Sequence, residues 1–317
     1  MKKSSHLGRV LILVNLTSHS YDANQNLKVT TDFFKENPEM ASSVEVYETS
    51  QAGDAEIRAR ECKEIDTLLV LAGDGTVHEA VNGLMQREKR DRPSLAVIPT
   101  GTGNDFARTV GMYSHDVGKV LTRLKHGHIE WMDIGKVNDT YFMETLSFGL
   151  DAAIAIDTIE KRREGTHAKG TKLFVQSSIR VLSKKTNGWN CRLSLDGGRE
   201  ERLPVMILAF QIGRTYGAGI PIAPDADPRD GLFDICMNRG MMSAAYALFL
   251  FALAKFGRHK HSKKIRMARA GKARVCFDTE VPAQTDGEEM SGREFMISML
   301  PGELSVWTAN DFGGGSI

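Results

Sequence analysis

Apolar positions fall into two regimes along this chain. In the first, short continuous apolar runs alternate with stretches of helical spacing. Val10-Leu11-Ile12-Leu13-Val14 is uninterrupted, as a strand covered on both faces is. Residues 26–34 space as a helix that Asn37-Pro38 closes. Val44-Glu45-Val46-Tyr47 alternates and predicts a second strand, and 54–63 predict a polar helix with Asp54 as N-cap. Leu68-Leu69-Val70-Leu71 predicts a third strand. It is followed by the turn Ala72-Gly73-Asp74-Gly75-Thr76 and then by apolar residues at Val77, Ala80, Val81, Leu84 and Met85, the i, i+3, i+4, i+7, i+8 stripe of a helix. Leu95-Ala96-Val97-Ile98-Pro99 repeats the pattern, with Thr100-Gly101-Thr102-Gly103-Asn104-Asp105 as its turn and a helix from about Phe106. Two such units in succession predict a doubly wound parallel sheet, with ligands beyond the carboxyl ends of its strands.

After about Gly127 the segments shorten and alternate. Residues 129–137 and 141–142 flank Asn138-Asp139, and 191–195 and 203–210 flank Asp196-Gly197-Gly198, both hairpin signals. Residues 146–159 are apolar and contain glycine, and 171–182 have helical spacing. Further strands are expected at 232–237, 273–277, 295–299 and 304–307. The fold class expected is α/β plus mainly β. A doubly wound domain spans 1–128, and a second antiparallel, β-sandwich-like domain spans 129–301. Residues 302–317 are expected to pack back on the first domain.

Length and composition agree. The 317 residues suffice for two domains of roughly 150 residues each. Hydrophobic residues make up 41% and charged residues 26%, an ordinary globular balance. A formal net charge of +1 leaves no bulk electrostatic case for nucleic acid or an anionic surface, so any such case is local. Cys62, Cys191, Cys236 and Cys276 lie far apart, giving neither a CxxC site nor a disulfide framework, which fits a reduced cytoplasmic setting. Lys2, Lys3 and Arg9 precede an apolar run too short for a signal peptide, and no run reaches the roughly 20 residues of a membrane span.

Four stretches carry chemistry. The glycine turns suit phosphate: glycine admits positive φ and close approach, and the following helix presents N–H groups and its positive dipole end. Asp74 there repels phosphate unless a divalent cation intervenes. The competing reading is a turn that only reverses the chain. Asp225, Asp227 and Asp230 form an acidic loop suited to a hard cation, or a solvated turn. Asp286-Gly287-Glu288-Glu289, on its residues alone, is an exposed turn. Residues 241–256 are apolar nearly all round and 255–266 strongly basic, which fits either an interfacial element on anionic lipid or a buried helix before a solvated loop. No aromatic interleaving supports nucleic acid there. His126-Gly127-His128 reads as a loop pair.

With these residues in hand, the chain resembles the diacylglycerol kinase catalytic-domain family, which includes soluble bacterial lipid kinases and sphingosine kinases. The motifs are Gly73-Asp74-Gly75-Thr76 with Glu79 and Asn82-Gly83 behind it, Pro99-Thr100-Gly101-Thr102-Gly103-Asn104-Asp105-Phe106, Asp133-Ile134-Gly135-Lys136, 225–233, and Asp286-Gly287-Glu288. They come in the family's order from about residue 10 to residue 310. The resemblance implies a lipid kinase using ATP and Mg²⁺, the nucleotide on the first domain and the lipid entering between the two. It assigns nucleotide contacts to Asn15, Thr49, Ala72, Gly73, Asp74, Gly75, Thr76, Val77, His78 and Thr102, with Asn104 and Asp105 in the second loop, and the catalytic base to Glu288. It assigns a structural Mg²⁺ to Asp230 with the carbonyls of Asp227 and Leu232, and places Asp74, Asp105 and Asp133 near the catalytic Mg²⁺. A lipid substrate at the inner membrane face implies peripheral contact, for which 241–266 is the candidate; a homodimer is compatible with the resemblance.

The departures are Asn15-Leu16-Thr17-Ser18-His19 where the family has Asn-Pro-x-Ser-Gly, Ala72 where it has a first glycine, and His78 where Asn is common. None removes a carboxylate. The rivals are an NAD kinase-like enzyme with a soluble acceptor, which shares the GDG turn, and a non-catalytic nucleotide- or lipid-binding regulator.

Overall fold

The computed structural model describes residues 6–15, 23–163, 176–177, 180–181 and 188–310. The chain forms two compact units. One comprises Met1–Asp133 and Gly302–Ile317, the other Ile134–Pro301.

In the first unit the apolar runs become β1 (Arg9–Val14), β2 (Ser43–Glu48), β3 (Thr67–Ala72) and β4 (Ser94–Pro99), joined in parallel in the order β2-β1-β3-β4. The last strand of the chain, β16 (Glu294–Thr308), adds beyond β4 through Val306 opposite Leu95, also parallel. Strands β1, β3 and β4 are buried almost throughout, as their unbroken apolar runs require. β2 is the edge, and its Val44 and Val46 stay exposed. Helices α1 (Ala23–Glu36), α2 (Asp54–Glu61), α3 (Asp74–Met85), α4 (Asp105–Thr109) and α5 (Val117–Lys125) occupy the connections. Asp54 is not the N-cap of α2. Gly53 takes that position, at φ 82°, and the Asp54 carboxylate instead accepts from the Ser50 N–H at 2.7 Å and the Tyr47 hydroxyl at 2.9 Å.

The chain passes into the second unit within β5 (His128–Val137) and returns within β16. One antiparallel sheet there runs β12-β11-β10-β7-β14-β15, built from β7 (Thr145–Gly149), β10 (Ile207–Gln211), β11 (Phe233–Asn238), β12 (Ile265–Ala270), β14 (Ala283–Thr285) and β15 (Glu288–Met290). The other joins the first half of β16 to β13 (Lys272–Phe277), β8 (Trp189–Leu195) and β9 (Glu201–Val205). Phe142, Phe148, Phe210, Phe233 and Phe295 fill the core, the Phe148 and Phe295 rings 4.7 Å apart. β6 (Thr140–Phe142) pairs with β5 around Asn138, whose φ of 50° suits a tight turn.

Several segments differ from expectation. Residues 203–210 are two strands, because Asn238 pins the bend: its side-chain oxygen accepts from the Met206 and Ile207 N–H groups at 2.7 and 3.0 Å, and its amide donates to the Pro204 carbonyl at 2.7 Å. Residues 295–299 and 304–307 are parts of one 15-residue strand. Residues 146–159 divide into β7 and α6 (Leu150–Arg163). Most of 171–182 lies outside the described residues. No helix among the described residues is long and apolar enough to cross a membrane.

Candidate active site

Register brings four strand ends to one edge of the first unit. Val14 pairs with Glu48 and with Leu71, and Ala72 with Pro99, so Asn15, Thr49, Gly73 and Thr100 each follow a neighbouring carboxyl end. Thr49 is buried and donates to the Val14 carbonyl through its N–H at 2.9 Å and its hydroxyl at 3.3 Å. The Thr100 N–H donates to the Ala72 carbonyl at 3.0 Å, which keeps the two glycine loops in step as they leave the sheet.

The loops then meet backbone to backbone. A Cβ placed on Gly101 would lie 2.7 Å from the Gly73 Cα, so side chains there would force the loops apart. Asn104 shapes the second loop: at φ 55° and ψ 41° its side chain accepts from the Gly101 N–H at 3.1 Å and donates to the Gly101 carbonyl at 2.7 Å. Its own N–H donates to Asp74 Oδ2 at 2.6 Å. Asp74 is the first residue of α3, and the N-cap, Gly73, has no side chain with which to cap the helix, whose amino end carries the positive pole of its dipole. His78 lies one turn further on, buried, with the Asn82 amide 3.2 Å from its Nε2 and donating to its carbonyl at 3.0 Å. Thr102 is exposed at the loop tip. The post-β1 departures 16–19 lie outside the described residues.

In the second unit, Asp286 at φ 51° and Gly287 at φ 98° form the turn between β14 and β15. The Asp286 carboxylate accepts the N–H groups of Met143, Glu144 and Thr145, each at 3.0 Å, and so binds the turn to the start of β7. The Gly287 N–H donates to the Gln284 side chain at 2.6 Å. Glu288 is not within the turn; it opens β15 opposite Thr285, with its side chain exposed beside the equally exposed Glu289. The three carboxylates thus differ in position, one engaged in holding the backbone and two projecting.

Residues 9–137 match the diacylglycerol kinase catalytic domain, and residues 144–308 match the YegS C-terminal NAD kinase beta sandwich-like domain. The chain belongs to the diacylglycerol kinase catalytic-domain family. It is 29% identical over 265 residues to a diacylglycerol kinase of Bacillus subtilis strain 168, covering 81% of this chain and 82% of the relative. It is 29% identical over 269 residues to one from Staphylococcus carnosus strain TM300, covering 84% of each. A solved diacylglycerol kinase structure from Bacillus anthracis strain Sterne superposes with a TM-score of 0.78 at 22% identity, covering 98% of this chain and all of the other (100%). An Archaeoglobus fulgidus NAD kinase in complex with ATP superposes at 0.52 with 14% identity, over 96% and 94% of the two chains, a likeness of fold. The protein is therefore a kinase with a role on lipid, and kinases of this family use ATP.

The family resemblance also implies Mg²⁺, and two groups of residues bear on it. The carboxylates of Asp74 and Asp105 both lie close to Gly103: a Cβ there would be 2.5 Å from Asp74 Oδ2 and 3.7 Å from Asp105 Oδ2. Two carboxylates beside a glycine fit a Mg²⁺ that keeps most of its water. Asp133 is buried, and its Oδ1 accepts from the Gly302 N–H at 2.7 Å, so part of its capacity holds β16. Among the described residues no three His, Cys, Asp or Glu side chains converge as a direct ligand set.

The 225–232 loop is already charge-balanced by the kinase's own cations. Asp230 pairs with Arg269 and accepts from the Leu232 N–H at 3.0 Å; Asp227 accepts from the Arg229 Nε at 3.2 Å; Asp225 pairs with Lys260 at 2.5 Å. A cation at Asp230 has to displace Arg269.

One buried acid escapes the sequence reading. Asp151, second residue of α6, is fully buried and neither oxygen meets a well-formed hydrogen bond. The Ser147 hydroxyl and the Ala152 amide favour its charged form, but burial outweighs them and lifts its pKa to about 7. In sequence it hides in the apolar stretch 146–159.

Proposed function

We propose that this kinase transfers the γ-phosphoryl group of ATP to a primary hydroxyl of a lipid, diacylglycerol foremost, giving phosphatidic acid. The observation that carries the reading is the pair of interlocked glycine loops with Asp74 and Asp105 beside Gly103, in a chain whose curated relatives are diacylglycerol kinases.

Phosphoryl transfer needs the donor positioned, its charge neutralised and the acceptor proton removed. The backbone of residues 73–78, at the uncapped amino end of α3, serves the phosphates, with Asn15, Thr49 and Thr102 on the neighbouring loops. Asp74 and Asp105 would hold Mg²⁺, which when bound would offset phosphate charge. The exposed Glu288 accepts the proton as the acceptor oxygen bonds to phosphorus and the bond from phosphorus to the ADP oxygen breaks. Asp286 positions that turn. Asp230, with the carbonyls of Asp227 and Leu232, would hold a structural Mg²⁺ only if the ion displaced Arg269; in that case Mg²⁺ raises the melting temperature of the wild type and not of Asp230→Asn. A lipid acceptor and ATP together put the reaction at the cytoplasmic face of a membrane.

The test is transfer of labelled γ-phosphate to detergent-dispersed diacylglycerol, a total lipid extract and NAD, with Glu288→Gln as control. Label in lipid that disappears in Glu288→Gln upholds the reading. Label in NAD alone replaces it with an NAD kinase-like activity, and ATP binding without transfer replaces it with a regulator.

A further inference from the structure

Helix α7 (Ala244–Ala254) contains no polar residue other than Tyr246 and is apolar all round. Such a helix buries one side and must present apolar groups on the other. Ala247, Leu250 and Ala254 are buried in the second unit. Tyr246, Leu248 and Phe249 face outward, Phe249 at 53% exposure, and Phe256 just past the helix is 75% exposed. The Tyr246 hydroxyl lies 3.1 Å from the Ser262 hydroxyl, which ties the outward face to the segment that follows.

That segment is basic. Residues 241–266 hold six Lys and Arg and no Asp or Glu, in a chain whose net charge is only +1. Lys260 and Arg266 are paired, with Asp225 and Glu201. Among the described residues no carboxylate pairs with Lys255, Arg258, Lys263 or Lys264, all of them exposed. An exposed aromatic and aliphatic strip with an unneutralised basic rim matches a surface that is apolar in depth and anionic at its boundary. A second copy of the chain is a poorer match, because an isologous contact sets the two basic rims against each other.

We propose that this face of α7 docks the kinase on an anionic bilayer, Phe249 and Phe256 entering the headgroup boundary and the basic rim contacting anionic headgroups. The inference rests on the lipid-kinase reading for its biological sense, and not for its physics.

The test is sedimentation with vesicles of phosphatidylcholine alone and of phosphatidylcholine mixed with phosphatidylglycerol, using the full chain. The wild type binds the anionic vesicles, less so as salt rises. Phe249→Glu with Phe256→Glu lowers that binding by at least about tenfold, and Lys263→Gln with Lys264→Gln by about fivefold per charge. Both double variants keep the wild-type melting temperature and rate on detergent-dispersed diacylglycerol. Unchanged vesicle binding in either variant, or no binding by the wild type, overturns the proposal. So does a wild-type dimer that the Phe variant makes monomeric. Vesicle binding lost in the variants, from a wild type that phosphorylates no lipid, upholds the surface and sinks the lipid-kinase reading alone.

Discussion

The Asn104 N–H donates to Asp74 Oδ2 over 2.6 Å, so a carboxylate from one glycine loop is held by the backbone of the other. This bond leaves Asp74 fixed without neutralising it, because its partner is a neutral amide. Asp74→Asn retains an oxygen for the same bond. The variant is expected to melt within a few degrees of the wild type while kcat falls by about 10²–10³. Steady-state kinetics beside a melting curve check this; a kcat near wild type removes Asp74 from the catalytic role.

Two glycines of the second loop separate packing from function. A methyl group at Gly101 meets the Gly73 backbone at 2.7 Å, and backbone cannot step aside cheaply. Gly101→Ala is expected to cost about 1–3 kcal/mol in urea unfolding as well as activity. A methyl group at Gly103 meets the tip of the Asp74 side chain at 2.5 Å. Gly103→Ala is expected to spare stability to within about 1 kcal/mol while raising KM for ATP and lowering kcat. Equal stability losses in both would mean that Gly103 serves packing alone.

The same contrast shows what sequence makes legible. Buried parallel strands are continuous apolar runs, so β1, β3 and β4 can be read directly, and the glycine turns that lead from β3 and β4 into helices can be read with them. That the two loops interlock through Asn104 and Asp74 depends on strand order and on a register 30 residues long in sequence separation, which no local pattern carries. β12 is hidden because Ile265-Arg266-Met267-Ala268-Arg269-Ala270 continues a basic run, and β14 and β15 because three residues show no period. Asp286 looks like one more turn acid until Met143, Glu144 and Thr145 are seen to donate to it.

Asp286 and Glu288 should therefore fail differently. Asp286→Ala strands three N–H groups at the start of β7 and is expected to destabilise the fold by roughly 2–4 kcal/mol. Glu288→Gln changes an exposed side chain and is expected to leave the melting temperature unchanged while kcat drops by about 10²–10⁴. Urea titration and kinetics on the pair decide it. If Glu288→Gln turns over normally and Glu289→Gln does not, the proton acceptor is the neighbouring carboxylate.

Asp151 gives the kinase a pH-dependent stability whose sign is unusual for a carboxylate. Its folded pKa, about 7, lies above the unfolded value near 4 because burial disfavours the charge. Below about pH 4 the acid is neutral in both states and costs nothing extra. Between about pH 4 and pH 7 the unfolded chain releases the proton while the folded chain keeps it, so stability declines as pH rises. Above pH 7 the loss is complete, on the order of 4 kcal/mol for three pH units. The charge would also fall near Cys236, whose thiol burial pushes up to about 12, with Asp151 adding to the shift. Asp151→Asn removes the titration. Compared with wild type by urea unfolding, the variant should gain relative stability from pH 5 to about pH 7 and hold that gain, without further increase, to pH 8. Parallel stability curves for the two proteins would show instead that the Ser147 hydroxyl and the Ala152 amide suffice to keep Asp151 ionised in the folded state.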